Sequence, residues 1–425
     1  IKIKIEAMTK RLILAFVFLS WHLVACSNGD SGISSGLPDK PSAEEDSPGT
    51  ETISEEMRVK ITGEDLYISA KLDAKTDILY WFKKCMFNEL FTFYRVGTID
   101  NNMPAPATLP DASPTSLLNL AYSDNIGPFN ITGYGWCGGN HPYLDEVTQT
   151  ARNIGYRIYI DGKEIKTDLS TLTKEIKIEV INEIMNPSKA DTSSGKTLLN
   201  EILCIETVNY SIYRNNIQVL VTHEFQNESP VTVQMYYGMQ SMFDKETHTL
   251  TANGKYVDWT VQKDVSTFTK KEYPSFRRFI EKSANVYQSS YLFADGLGNH
   301  EEISDDDIIF IGNSSNKTCH KIIADREHKK GDIIHWSGVY TWFKSPVSDD
   351  DDLLCYEGVI DNKKVLFIDC KKNVDRTIQL PVDYTKKSFT IIEKSKSITI
   401  TGNKVTAKGL RIVSDGSGSC VITFD

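Results

Sequence analysis

The chain has 425 residues, 40% of them hydrophobic and 24% charged, with 26 Gly and 14 Pro. This is ordinary globular composition at roughly two to three times the size of a typical domain, and it excludes a disordered chain, a collagen and a multi-span membrane protein. The formal charge is −10; the first 25 residues hold four Lys/Arg and one Glu, so the remainder carries −13, a sign that speaks against a nucleic-acid partner because phosphate neutralisation needs a basic surface.

In chain order, Ile1 to Ala7 precede Met8, the expected start. Met8 opens the basic stretch Thr9-Lys10-Arg11, and the apolar run Leu12 to Val24 that follows is too short for an ordinary membrane span. This is the pattern of an export signal over residues 1–25. Leu23-Val24-Ala25-Cys26 resembles a bacterial lipobox, which implies that Cys26 becomes a lipidated N-terminus and the chain's link to a membrane. Residues 26–56 are polar and rich in Gly, Ser and Pro, a composition that cannot offset its ordering entropy and is expected to form a tether. Its acidic Glu44-Glu45-Asp46 resembles the surface-export tethers of Bacteroidota lipoproteins, which implies an outer-membrane position facing the exterior.

From about Arg58 the hydrophobic period is two. Ile217, Val219, Val221, His223 and Phe225 share one face of a run whose other face is Gln218, Leu220, Thr222 and Glu224, and Ile176 to Val180 and Ser397 to Thr401 alternate similarly. Asp161-Gly162, Asn253-Gly254, Gly298-Asn299, Asp361-Asn362, Gly402-Asn403 and Asp415-Gly416 punctuate these runs with hairpin-turn chemistry. Only Tyr273 to Lys282 reads as a short helix. The expected fold is all-β, a large antiparallel β-sandwich over 57–345, with 346–425 as further strands or a small β domain.

Between these strands lie Ser123-Asp124-Asn125-Ile126-Gly127-Pro128, Gly138-Gly139-Asn140-His141, Thr150-Ala151-Arg152, Tyr159-Ile160-Asp161-Gly162 and Tyr236-Tyr237-Gly238-Met239-Gln240. In this order, over residues 123–240, they resemble phage tail proteins and exported proteins that engage polysaccharides, which implies glycan recognition without naming a reaction. The pair His223-Glu224-Phe225 and Met235 to Gln240 is also similar to galactose-mutarotase-like super-sandwiches.

The residues themselves suggest chemistry. Gly138-Gly139 permits an unusual backbone path and close ligand approach, so Asn140 and His141 are candidates to present an amide and an imidazole, beside Trp136 and Tyr143. His223 stands on an apolar strand face and requires a polar partner, either a core one or, with Tyr236 and Gln240, a proton-transfer site. Arg152 could hold a sugar carboxylate, while Trp136, Tyr237 and Trp336 are expected to offer aromatic surface to sugars.

The Cys residues after Cys26, at positions 85, 137, 204, 319, 355, 370 and 420, show no zinc spacing, and most are expected to be buried small hydrophobes; an exported chain could form one or two disulfides, with Cys355 and Cys370 the pair expected on neighbouring strands. Asp305 to Asp307 and Asp349 to Asp352 are acidic runs that could supply calcium ligands, but both lack the EF-hand spacing; such runs are usually solvated, and no cofactor is expected. No Walker, Rossmann, G-x-S-x-G or H-E-x-x-H pattern occurs. Two functions follow: a surface lipoprotein that binds extracellular polysaccharide, or a polysaccharide lyase or hydrolase using His141 or His223 with Tyr236 or Tyr237. An adhesin without a sugar site is a lesser third.

Overall fold

The computed structural model describes residues 53–85, 87–108, 118–122, 126–189, 201–242, 248–251, 256–258, 266–268, 277–283, 285–294, 309–312 and 317–425. Cys26, Ser123 to Asn125, the turns at Asn253 and Gly298, Trp259 and Asp305 to Asp307 lie outside the described residues.

The described chain is all-β. A first sheet runs, in spatial order, Leu169–Thr173, Met57–Thr62, Asp65–Asp73, Thr76–Cys85, Leu90–Asp100 and Leu118–Tyr122. The second, of ten strands, has Arg278–Ser283, Val286–Leu292, Ile333–Phe343, Asn216–Phe225, Ile202–Tyr213, Ile176–Met185 and Ala151–Ile160 in its middle. The third includes Lys317–His328, Val231–Met242, Ile126–Ile131 and Gly135–Cys137 as neighbours. Alternation decides what faces inward: Ile217, Val219, Val221, His223 and Phe225 are all buried, whereas Leu220 between them is 40% exposed.

The first and third sheets lie against one face of the second, enclosing a single apolar core to which all three contribute. Phe82 of the first meets Tyr210 of the second with ring centres 5.2 Å apart, and Phe129 of the third meets Phe225 of the second at 6.0 Å. A fourth sheet, Ser348–Asp349, Leu353–Ile360, Lys363–Cys370, Gly418–Phe424 and Phe389–Lys394, encloses its own core with a fifth, Val374–Ile378, Leu410–Ser414 and Ile398–Ile400. The fourth sheet also covers part of the second sheet's other face through the ring series Tyr287, Phe343, Tyr356 and Phe367, spaced 4.8, 4.3 and 4.9 Å. Within that contact Arg278 and Asp369 form a buried ion pair.

Asp161-Gly162 and Asp361-Asn362 form two-residue hairpin turns, with φ of 46° and 77° in one and 50° and 58° in the other, the positive values that type I′ turns require. Three local expectations are corrected. Arg278–Ser283 is a strand inside the second sheet rather than a helix, because pairing to Val286–Leu292 overrides its local pattern; Tyr273 to Phe276 lie outside the described residues. Asp415-Gly416 joins strands of different sheets, not a hairpin. Cys355 and Cys370 lie on adjacent strands, as expected, but face Ile368 and Leu353, a diagonal of about 7–8 Å that a disulfide does not span; none of the seven described cysteines is in a disulfide, and all are buried.

Candidate functional site

The third sheet sorts the candidate residues onto two opposite faces. In its hairpin, Phe129 and Cys137 face the core and Asn130 and Trp136 face out, paired as Phe129↔Cys137 and Asn130↔Trp136. On the adjoining strand Tyr236 pairs with Phe129 and is fully buried, while Tyr237, on the other side of the pleat, is half-buried. A register shift follows, with Met239 at φ 49°, and beyond it Met239 and Gln240 are both buried. Gly127 lies against this bulge so closely that a Cβ there would fall 1.8 Å from the Tyr237 carbonyl oxygen and 2.6 Å from Gln240 Nε2. The glycine of the first sequence motif therefore packs on the Tyr-Tyr-Gly-Met-Gln strand.

Gly138-Gly139-Asn140 is a clasp rather than a presented loop. Gly138 and Gly139 have φ of 78° and 57°; Asn88 Nδ2 donates to the Gly139 carbonyl at 2.8 Å, and Thr150 N donates to Asn88 Oδ1 at 3.1 Å. Asn140, 3% exposed, accepts from Leu90 N at its Oδ1 and from Phe87 N at its carbonyl. Its amide ties the turn before Leu90–Asp100 to the loop and is not offered to a ligand, which corrects the expectation for Asn140.

Past the clasp the chain surfaces at His141 and Tyr143, both half-buried. Asp145 holds the next turn by accepting from Val147 N, Thr148 N and Thr148 Oγ1 at 2.8, 2.6 and 2.8 Å. This places Tyr143 beside Trp136, ring centres 6.1 Å apart and planes within 30°, and His141 5.6 Å from Tyr143. Tyr237 lies 6.2 Å from Trp136 with planes within 20°. Tyr143 and Tyr237 are thus each offset-stacked on Trp136, and the three half-buried side chains form an aromatic strip centred on Trp136, with the His141 imidazole beside Tyr143. In a second aromatic group, Tyr67, Trp81 and Tyr94 on the first sheet, Lys83 Nζ caps two of the rings, 4.2 Å from the Trp81 centre and 4.4 Å from that of Tyr94.

The other candidates are not part of the strip. His223, fully buried, hydrogen-bonds through Nε2 to Glu206 Oε2 at 2.9 Å; Asn182 Nδ2 donates to Glu206 Oε1 at 2.9 Å and Asn153 Nδ2 to Asn182 Oδ1 at 2.9 Å. Tyr236 stacks on Phe129 at 4.5 Å and accepts from Trp336 Nε1 at 2.8 Å. Burial pushes the Tyr236 hydroxyl well above its ordinary range, the Glu206 carboxylate adding to the effect, so it is a poor proton donor or acceptor near neutral pH. Trp336, expected at the surface, is fully buried because its strand turns it inward with Tyr340 and Trp342. Gln240 is 3% exposed. Arg152, 49% exposed on the second sheet, is held by Glu183. In the Asp349 to Asp352 run, Asp350 pairs with Arg376 at 2.7 Å, Asp352 with Lys372 at 2.8 Å and Asp349 with Lys371 at 3.4 Å, so these carboxylates already have cations; no His/Cys/Asp/Glu cluster suited to a metal occurs among the described residues.

Sequence reasoning missed Glu206, although its parity with Cys204, Val208 and Tyr210 on an inward face carried the same signal as His223. It also missed Tyr134, 55% exposed at the tip of the hairpin that bears Trp136, which no motif marks.

No protein-family model matches the chain, and no curated protein matches it in sequence. Among solved structures it is similar to the galactosidase domain of an α-galactosidase–sucrose kinase (9% identity, TM-score 0.37, 66% of this chain and 41% of that one). It is also similar to a family 36 α-galactosidase from Geobacillus stearothermophilus (9%, 0.38, 66% and 40%). A third is a variant of a glycoside hydrolase family 97 enzyme from Pseudoalteromonas sp. strain K8 (7%, 0.33, 69% and 37%). The chain spans about two fifths of the length of these proteins, and likeness at these values assigns it neither reaction nor substrate.

Proposed function

We propose that this protein is a glycan-binding lipoprotein, anchored to the outer membrane through Cys26 and carrying its β body toward extracellular polysaccharide. The observation that carries the binding role is the strip Trp136, Tyr143 and Tyr237 with His141 beside it. Sugars lay their C–H faces on aligned rings while polar neighbours hydrogen-bond their hydroxyls, and a shallow strip suits binding rather than enclosure. The anchor rests on the lipobox and tether of the sequence. A cleaving enzyme is the weaker reading, since His223 and Tyr236 are sealed in the core and Arg152 is held by Glu183.

Affinity electrophoresis and calorimetry against a polysaccharide panel test the role. At least one polysaccharide should bind, Trp136→Ala should weaken it at least about tenfold, and the bound polymer should gain neither reducing ends nor unsaturated uronate absorbance. Unchanged affinity in Trp136→Ala would remove the strip as the site, and product formation would restore the enzymatic reading. Cys26→Ala should move the exported protein to the soluble fraction; its retention in washed outer membranes would refute the anchor.

A further inference from the structure

The hairpin that bears Trp136 carries a second feature at its tip. Tyr134 N donates to the Ile131 carbonyl at 3.0 Å and Thr132 N to the Thr232 carbonyl at 3.0 Å, and Gly133 and Gly135 supply the φ of 80° and 92° that the turn needs. The turn holds Tyr134 over an open cleft of about 470 Å³ that it lines with Thr132, Ser188, Lys189, Glu201 and Thr232.

The lining of the cleft is mixed, Ile131, Pro230 and Val231 standing beside the polar groups, and its charges are balanced. Glu201 is fixed by Glu228 N, which donates to its Oε1 at 2.8 Å, and Lys189 Nζ stands 3.7 Å from its Oε2. Ser188 is oriented by Asn186, whose Oδ1 accepts from both Ser188 N and Ser188 Oγ at 3.0 and 2.7 Å. Hydroxyls, one ion pair and one exposed phenol ring are a set that recognises uncharged sugar hydroxyls and one sugar face. An anionic sugar would meet Glu201 there, and Arg152, the cation the sequence offered for such a sugar, is held by Glu183.

Position links the cleft to the strip. Tyr134, in the turn, and Trp136, on the strand that leaves it, are two residues apart on one hairpin, which keeps their Cα atoms within about 7 Å of each other, on the scale of one sugar ring. We infer that the cleft continues the aromatic strip, so that one neutral, linear glycan lies on Trp136 and runs past Tyr134 into the cleft. The inference rests on the glycan-binding reading above and adds to it the class of ligand and a second subsite.

Calorimetry on the full chain tests it with neutral gluco-, galacto- and manno-oligosaccharides, disaccharide through hexasaccharide, beside oligogalacturonates of the same lengths. Affinity for one neutral series should rise with length. Trp136→Ala should weaken every length, whereas Tyr134→Ala and Lys189→Ala should leave the disaccharide within about twofold and weaken the tetrasaccharide and longer by about fivefold or more. If Trp136→Ala weakens binding while both cleft variants keep wild-type affinity at all lengths, the second subsite is refuted and the strip stands. Tighter binding of the acidic series refutes the neutral ligand class. If no oligosaccharide binds, or Trp136→Ala binds as wild type does, the glycan-binding reading itself falls and the cleft with it. Circular dichroism of Tyr134→Ala should match wild type, since Tyr134 is 55% exposed.

Discussion

His223 and Glu206 face each other across two strands with the third sheet closed over them. Removing one member leaves the other buried without its partner, which is costlier than removing both. His223→Ala should therefore destabilise by on the order of 3–5 kcal/mol in urea unfolding, while the double change His223→Leu, Glu206→Leu should recover most of the loss, and neither should alter glycan binding. A single variant as stable as wild type would show that the pair contributes nothing. His328, stacked on Phe225 at 4.3 Å, is a different case: burial, with the nearby charge of Arg326, pushes its imidazole down to about 4 from 6.5. In the unfolded chain it protonates near 6.5, so the stability it contributes above that pH is lost progressively as pH falls through the window to about 4. Replacing it by Phe should flatten the unfolding midpoint across that window; an unchanged slope would assign the loss elsewhere. At this scale the inward parity of His223 was legible in its strand. Trp336 was misread because its polar neighbours His335 and Ser337 belong to the opposite face, and alternation outranks local composition.

At the scale of the element, alternation foretold the strands, and two type I′ turns were legible in Asp161-Gly162 and Asp361-Asn362. Partition of those strands among five sheets was not, because it depends on pairings between segments such as Asn216–Phe225 and Ile333–Phe343, over a hundred residues apart. The sequence motifs mark the third sheet but not their job there. Glycines in Ile126-Gly127-Pro128 and Tyr236-Tyr237-Gly238 are spacers that let backbone and rings approach, Gly238 meeting Ile322 and Trp336 as Gly127 meets Tyr237. Gly127→Ala should accordingly lower stability by about 1–3 kcal/mol and, by pushing on Tyr237, weaken glycan binding as well. Gly155→Ala, with nothing within 4 Å of the added carbon, should stay within about 0.5 kcal/mol. Equal effects of the two in thermal unfolding would contradict the close-packing account.

Over the whole molecule, two apolar cores are joined by a third that contains the aromatic series and the Arg278–Asp369 pair. The sequence marked a change near residue 346 but not how the following strands would sit, since the residues that join them to the second sheet, Tyr287, Phe343, Tyr356 and Phe367, look like any other core aromatics. The described cysteines are divided between these parts: Cys85, Cys137, Cys204 and Cys319 lie in the first three sheets, and Cys355, Cys370 and Cys420 in the fourth. Burial pushes the Cys370 thiol up to about 11 and that of Cys420 to about 12, so these two present almost no reactive thiolate near neutral pH in the folded protein. Each cysteine becomes a timer for the opening of its own neighbourhood. Alkylation under native conditions, resolved by peptide mass, should mark Cys355, Cys370 and Cys420 at one common rate, and that rate should separate from the rate for the other four if the fourth sheet can swing away from the second before the sandwich opens. A single rate for all seven would mean that the body opens only as a whole, its two halves bound into one cooperative event by the seam of rings between them.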